Sequence, residues 1–386
     1  MPTITRFAIS LRKLRSPFLA AAPPYPWFCS PCLLLLIPFS RSLVHPPIGI
    51  FYFSRRFSPA GNFPFGADVV GLTRGLLRGV VMKRASRFLA LALIVCLLGA
   101  FYLLDPFSLF SDSLPSAPLY EGEEITEPLP ELSVRVVDVG HGDFILVQSQ
   151  GKTMVIDTGE DSARKAVKAT LSDLDIQRID VMVLTHPHSD HIGNASYLLD
   201  HVAVDTVYMT GREHTTKLYR TLLDTLTEHT EVTVKEIKAG ERFSFGGADC
   251  LFLGPLALDY EDINDTSAVM MLFYGNMRLL FTGDAEERAE RDYVNYYGDE
   301  LRADFLKIGH HANDSTTQVF AQRVQPNYAA VSMKPLEEYG DKERAKKSAI
   351  FQRLEEAYGT EVYRTDRDGD IVVRTDGLKL TVTTEK

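Results

Sequence analysis

The chain has 386 residues, 45% of them hydrophobic and 24% charged, with a formal net charge of −10 at pH 7, which suits one large domain or two modest ones. The charge is uneven: residues 1–104 carry 12 Lys/Arg and a single acidic residue, Asp68, leaving 29 basic against 50 acidic residues in 105–386. So acidic a body argues against non-specific attraction to duplex DNA or an anionic membrane face, and a polyanionic substrate would need cations supplied locally.

Residues 1–81 mix Pro, aromatics and Arg without helical or strand period and read as an unstructured upstream extension, with Met82 as the expected start. Lys83, Arg84 and Arg87 precede a run of about 17 apolar residues, near the lower limit for a membrane span, so 82–104 is expected to be a signal anchor. Its basic flank would stay cytoplasmic and place the remainder outside. Cys29 and Cys32 have CxxC spacing but no second pair, Cys96 fits the interior of the anchor, and Cys250 stands alone in the body. Residues 105–130, rich in Pro, Ser and Glu, read as a solvated linker.

From 131 to 386 the chain reads as one α/β domain. VRVVDVG, DFILVQSQ and TMVIDTG are short β-rich runs, SARKAVKATLSDLD is helical, and IDVMVLTH is an apolar strand running straight into THPHSDHIGN. Further strands alternate with the helix TKLYRTLLDTLTEH. A hairpin is predicted at Gly275-Asn276 and a last one within VYRTDRDGDIVVRT. Of the basic run 342–347, the acidic neighbours favour a solvated helix face, and Lys307 is expected to point outward.

The segment HPHSDH places His186, His188, Asp190 and His191 in six positions of a chain with ten histidines. Imidazole and carboxylate suit zinc, manganese or iron, and alternate positions can address two ions. Two such sites need about six to eight ligands, so others must come from later strand ends. LLFTGD ends on Asp284, and LKIGHH ends on His310 and His311. Asp157, in VIDTG, reads as a residue that orients a ligand rather than as a ligand.

HPHSDH with the later FTGD and GHH resembles the metallo-β-lactamase superfamily. The ordered set VVDVGHGDFILVQ, VIDTG, Asn264-Asp265-Thr266-Ser267, LLFTGD, DFLKIGHHANDS and VYRTDRDGDIVV is similar to the hydrolase domain of ComEC-type DNA-uptake proteins. The resemblance implies a four-layer αββα sandwich, preceded here by the anchor, with two divalent ions, Zn or Mn, at the edge between the sheets. It implies His186 and His188 at the first metal, Asp190, His191 and His310 at the second, and Asp284 bridging. Asp190 is a candidate to accept the nucleophile's proton or only to orient the water. His311 is a candidate to contact the substrate or protonate the leaving group, or else to pack behind the site.

This chain departs from the pattern in three places. The additional histidine that many members supply before the bridging Asp is replaced by Asn264-Asp265, and His201, His214 and His229 fall in or near helical stretches that do not fit that place. A weaker first site is therefore expected, aided by Asn264 or Asp265. The Gly-Gln-Gly turn of the ComEC-type branch is Gly140-His141-Gly142 here, where His141 either approaches the substrate or merely forms the turn. Tyr339-Gly340-Asp341 lacks the His and Pro expected after the Gly. The reading that follows is an extracytoplasmic phosphodiesterase or nuclease acting on DNA or nucleotide fragments through a metal-activated hydroxide. Alternatives are a hydrolase of a cell-wall phosphodiester or lactone, or a non-catalytic metal-binding subunit docking to a DNA-uptake channel.

Overall fold

The computed structural model describes Gly122 and residues 124–386. The expected upstream extension, the anchor expected at 82–104 and most of the expected linker lie outside the described residues; among those described, no helix is long and apolar enough to cross a membrane.

Period-two alternation of apolar residues builds two sheets that share one core. In β1 (Leu132–Val136), Leu132, Val134 and Val136 are fully buried while Ser133 and Arg135 are only half covered. The first sheet continues through β2 (Ile145–Ser149), β3 (Lys152–Ile156), β4 (Arg178–Leu184), β5 (Ala203–Met209) and β6 (Thr233–Glu236). The second contains β7 (Arg242–Phe245), β8 (Ala248–Gly254), β9 (Val269–Tyr274), β10 (Met277–Phe281), β11 (Phe305–Lys307), β12 (Tyr328–Val331) and β13 (Glu361–Arg364). β14 (Ile371–Thr375) and β15 (Leu380–Thr384) return to the first sheet, giving orders β15-β14-β1-β2-β3-β4-β5-β6 and β13-β12-β11-β10-β9-β8-β7.

Both faces of the inner strands are apolar because each sheet is covered twice. Met154, Ile156 and Val183 of the first sheet meet Met270, Leu272, Phe281 and Phe305 of the second. The outer face of the first sheet packs on α1 (Arg164–Asp173), α3 (Ala195–His201) and α4 (Lys217–Glu228), with the one-turn α2 (Ser189–Ile192) between α1 and α3 in the chain. The outer face of the second packs on α5 (Glu287–Tyr297), α6 (Gln318–Val324) and α7 (Asp341–Tyr358). Each fully buried Val, Leu, Ile, Phe or Met contributes about 1.5–3 kcal/mol relative to exposure. The architecture is thus an α/β sandwich of two sheets with helices outside each, as expected from the motifs.

The hairpin predicted at Gly275-Asn276 is present, with Tyr274 paired to Met277. The one predicted within 362–375 is not: β13 and β14 lie in different sheets, joined by the one-turn α8 (Thr365–Asp368). Side chains make that crossing. Asp368 accepts from the Arg364 amide at 2.8 Å, and Asp370 takes the Asp138 amide at 2.8 Å and Arg135 at 2.9 Å. Nor is the end of the linker simply solvated. Ile125 exchanges two hydrogen bonds with the Asn276 side chain, 2.9 and 3.0 Å, and Leu129 N donates to Asp376 O at 2.7 Å.

Candidate metal centre

Ligands found in open α/β sheets gather beyond the carboxyl ends of parallel strands. Here β3 and β4 run parallel in one sheet and β10, β11 and β12 in the other. All five run directly into the segments that carry Asp157, His186–His191, Asp284, His310–His311 and Ser332.

The loop after β4 is held by a buried polar network. Thr185 donates from N and Oγ1 to the two Asp157 oxygens at 2.8 and 2.7 Å, and Asn194 Nδ2 reaches the carbonyls of Thr158 and Glu160 at 3.0 and 2.7 Å. On the other sheet, Gly283 takes φ +52°, and a Cβ there would lie 2.9 Å from Ser267 Cβ. That close approach lets Ser267 Oγ accept from Asp284 N at 3.1 Å and fixes the carboxylate in place.

Ligand atoms of Asp190, His191, Asp284 and His311 converge within 4.8 Å of one another. His191 Nε2 lies 3.1 Å from Asp284 Oδ2, and His311 Nε2 lies 3.3 Å from Asp190 Oδ2 and 3.7 Å from Asp284 Oδ2. Each imidazole is oriented from behind: His191 Nδ1 faces Asp157 Oδ2 at 2.7 Å and His311 Nδ1 faces Ser332 O at 2.9 Å. Donation to those oxygens leaves both Nε2 lone pairs directed at the cluster. His186 Nε2 and His188 Nδ1 are 3.0 Å apart, and His186 Nε2 is 3.8 Å from Asp284 Oδ2. Asp284 thereby stands between the two groups.

The donor set fits divalent cations. His191 Nε2 and Asp284 Oδ1 are buried without a hydrogen-bond partner, a costly arrangement for polar atoms unless something charged is shared between them. Electrostatics agrees. Burial disfavours a charged His191, but Asp284 and Asp157 outweigh it and hold its pKa well above the ordinary value. Against the upward push of burial, His191 and His311 hold Asp284 well below the carboxylate range. The two carboxylates thus favour positive charge at His191, and a cation bound there would compete with a proton for Nε2. Burial instead drives His186 well below its ordinary value and lowers His188.

His310, expected as a ligand of the second group, is not brought to it. Three consecutive residues, His310, His311 and Ala312, adopt left-handed backbone angles with φ of 44, 50 and 60°, and successive side chains in such a turn diverge. His311 turns inward and is fully buried. His310 turns to Glu286, 2.7 Å from Nδ1 to Oε1, which raises its pKa despite burial. The Asn264 amide donates to the same Glu286 oxygen at 2.9 Å. Asp265 accepts from the Glu286 and Ala289 amides, both at 3.1 Å, so it serves the start of α5.

Sequence reasoning also misplaced two lysines. Lys307 alternates with Leu306 and shares the inner face with Phe305; it is fully buried, with Nζ 2.8 Å from both oxygens of Asp143. Asp143 N in turn donates to Asp190 O at 3.1 Å, so the ion pair ties the two ligand-bearing loops together across the sheets. Lys347, in the run expected to be solvated, is 1% exposed and donates to His311 O at 2.7 Å; burial lowers its pKa to about 8. The turn Gly140-His141-Gly142 lies over the site. A Cβ on Gly142, at φ +111°, would collide with the Asp190 carbonyl oxygen. The His141 side chain keeps 44% exposure, with Nε2 3.5 Å from Asp190 Oδ2 and its ring 4.4 Å from that of His311.

Comparison with known proteins agrees with the motif reading. ComE operon protein 3 of Bacillus subtilis (strain 168) is 28% identical over 263 residues, covering 63% of this chain and 33% of that protein. Competence protein ComA of Neisseria gonorrhoeae is 29% identical over 250 residues, 63% of this chain and 32% of that protein. Endoribonuclease ysh-1 of Neurospora crassa is 25% identical over 208 residues, 47% of this chain and 23% of that protein. The chain thus spans about a third of the length of the competence proteins it matches. The family profile described as Metallo-beta-lactamase superfamily matches residues 137–333, which include every residue of the centre, and this chain belongs to that superfamily.

Proposed function

We propose that the chain is a metal-dependent phosphodiesterase acting on DNA or nucleotide fragments. Asp190, His191, Asp284 and His311 hold one divalent ion, Zn or Mn, and His186 and His188 share Asp284 for the other. The observation that carries this reading is the convergence of ligand atoms of Asp190, His191, Asp284 and His311 within 4.8 Å, with His191 Nε2 and Asp284 Oδ1 buried and without a hydrogen-bond partner. Such ions, when bound, would supply Lewis-acid polarisation of a phosphodiester and a water acidified to a pKa of about 7.

The protein's own groups do the rest. Asp157 and Ser332 fix the Nδ1 tautomers of His191 and His311. Burial opposes ionisation of Asp190, but the His311 hydrogen bond and the charge of His191 hold it far below the carboxylate range. Asp190 therefore binds and orients at neutral pH rather than storing a proton, and His311 acts as a ligand in the place expected for His310. His141, half-exposed at the mouth, is the group placed to meet substrate.

The relatives' names, two competence proteins and an endoribonuclease, favour nucleic acid as the substrate. We place the domain outside the cytoplasm on an anchor at 82–104, beside a DNA-uptake channel. The test is metal analysis of the purified chain followed by degradation of single-stranded DNA with Mn²⁺ or Zn²⁺, with His188→Ala as control. Metal-dependent loss of DNA in wild type alone is the expected result. Equal degradation by both proteins defeats the nuclease reading, and turnover of a small ester alone moves the substrate to the lactone class.

A further inference from the structure

The first metal group has three donors, His186 Nε2, His188 Nδ1 and Asp284. Where a further ligand was sought, Asp265 Oδ1 accepts at the start of α5 and Asn264 gives Nδ2 to Glu286, while Asn264 Oδ1 is buried without a partner. The remaining histidines of the described region can be sorted by what they touch. His201 Nδ1 lies 2.9 Å from Tyr197 O, and its ring stacks on that of Tyr197. His229 sits between Asp200 and Glu231, 3.0 Å from each. His310 is paired with Glu286.

His214 differs. It lies in the connection between β5 and α4, outside any helix, and its ring is 5.9 Å from that of His188 and close to perpendicular to it, at 68°. The rings of His191 and His311, whose Nε2 atoms converge on one cluster, are separated by a similar 5.5 Å. The rear of the ring matches too. His214 Nδ1 is 3.2 Å from Thr216 Oγ1, as His186 Nδ1 is 3.2 Å from Thr185 Oγ1. Thr216 Oγ1 is itself anchored, because it caps α4 by accepting from Tyr219 N at 3.3 Å. An oxygen held behind Nδ1 is the support that metal-binding imidazoles use to free Nε2 for the ion. The loop is steadied by Arg212, which donates to Leu258 O at 2.9 Å.

We infer that His214 supplies the missing imidazole of the first metal site, entering from the loop before α4 instead of from the segment at Asn264. The inference rests on the two-ion reading above and makes the first site a three-histidine, one-carboxylate set suited to zinc.

The test is titration of the metal-free full chain with Co²⁺, followed by visible absorption and by metal content after dialysis. Wild type is expected to take two equivalents. His214→Ala should keep one at wild-type affinity and weaken the other at least about 10-fold. His214→Cys should restore the second equivalent and add a thiolate-to-cobalt charge-transfer band, which a residue remote from the ion cannot produce. His201→Ala, with matched circular dichroism, serves as the control. Two unchanged equivalents in His214→Ala with no charge-transfer band in His214→Cys overturn the inference, as does a single equivalent in wild type. Two His214-dependent equivalents without cleavage of DNA would leave it standing while the nuclease reading fails.

Discussion

The two halves of the centre are built to different standards. Around Asp190, His191, Asp284 and His311, each imidazole is braced by an oxygen within 2.9 Å, and Asp284 and Asp157 favour positive charge at His191. Around His186 and His188, the imidazoles are neutralised by burial and lie in contact with each other, with a 3.2 Å contact from Thr185 behind one of them. The first arrangement favours positive charge; the second holds two neutral imidazoles in contact, with Asp284 Oδ2 3.8 Å from His186 Nε2. If the proposed pair of ions shares Asp284, the two would differ in affinity through their surroundings.

The largest expected effect removes what the halves share. Asp284→Asn should weaken both ions by more than about 100-fold, beyond the 10–100-fold typical of losing only a ligand's outer partner, and equilibrium dialysis would measure it. Retention of either ion at wild-type affinity would show that Asp284 does not bridge. The adjacent histidines then separate the halves. His311→Ala should cost one ion about 100-fold, and His310→Ala less than about 10-fold. Reversal of that order would return His310 to the place the motif suggested.

Support across the sheets comes next. Lys307→Met leaves Asp143 buried and unpaired, and should cost about 3–5 kcal/mol in urea denaturation, a penalty that Asp143→Leu in the same chain largely removes. A pH effect on stability is expected at the turn that follows His311. Glu290, which accepts from the Thr316 and Thr317 amides, has its pKa pushed by burial from 4.5 up to about 7. The folded chain keeps a proton that the unfolded chain releases first, so this stability is complete below pH 4.5 and is lost as pH rises through 7. Relative to Glu290→Gln, wild type should lose up to about 3 kcal/mol between pH 4.5 and 8. A constant difference across that range would place the Glu290 pKa near its ordinary value.

Much of this was legible in the chain itself. HPHSDH is contiguous and follows an apolar strand, and LLFTGD and LKIGHH also end strands, so the ligand types and the strand ends that present them could be named without coordinates. The failures share one cause. Lys307 ends a strand of three residues, too short for alternation to reveal its inner face, and its partner Asp143 is 164 positions away. Lys347 belongs to a charged helix whose local pattern gives no hint of the His311 carbonyl 36 positions earlier. The last hairpin failed likewise, because turn residues look alike whether the next strand rejoins its neighbour or crosses to the other sheet.

The sequence by itself determined the inventory of the centre: imidazoles and carboxylates at strand ends, in the order of the metallo-β-lactamase superfamily motifs. Only the tertiary structure decided which of two adjacent histidines faces inward, that His214 lies beside His188, and that two lysines are buried behind the His311 turn. Spacing along the chain fixes residue type and local period. Direction is set by backbone angles such as the three consecutive left-handed residues from His310, and by partners distant in sequence.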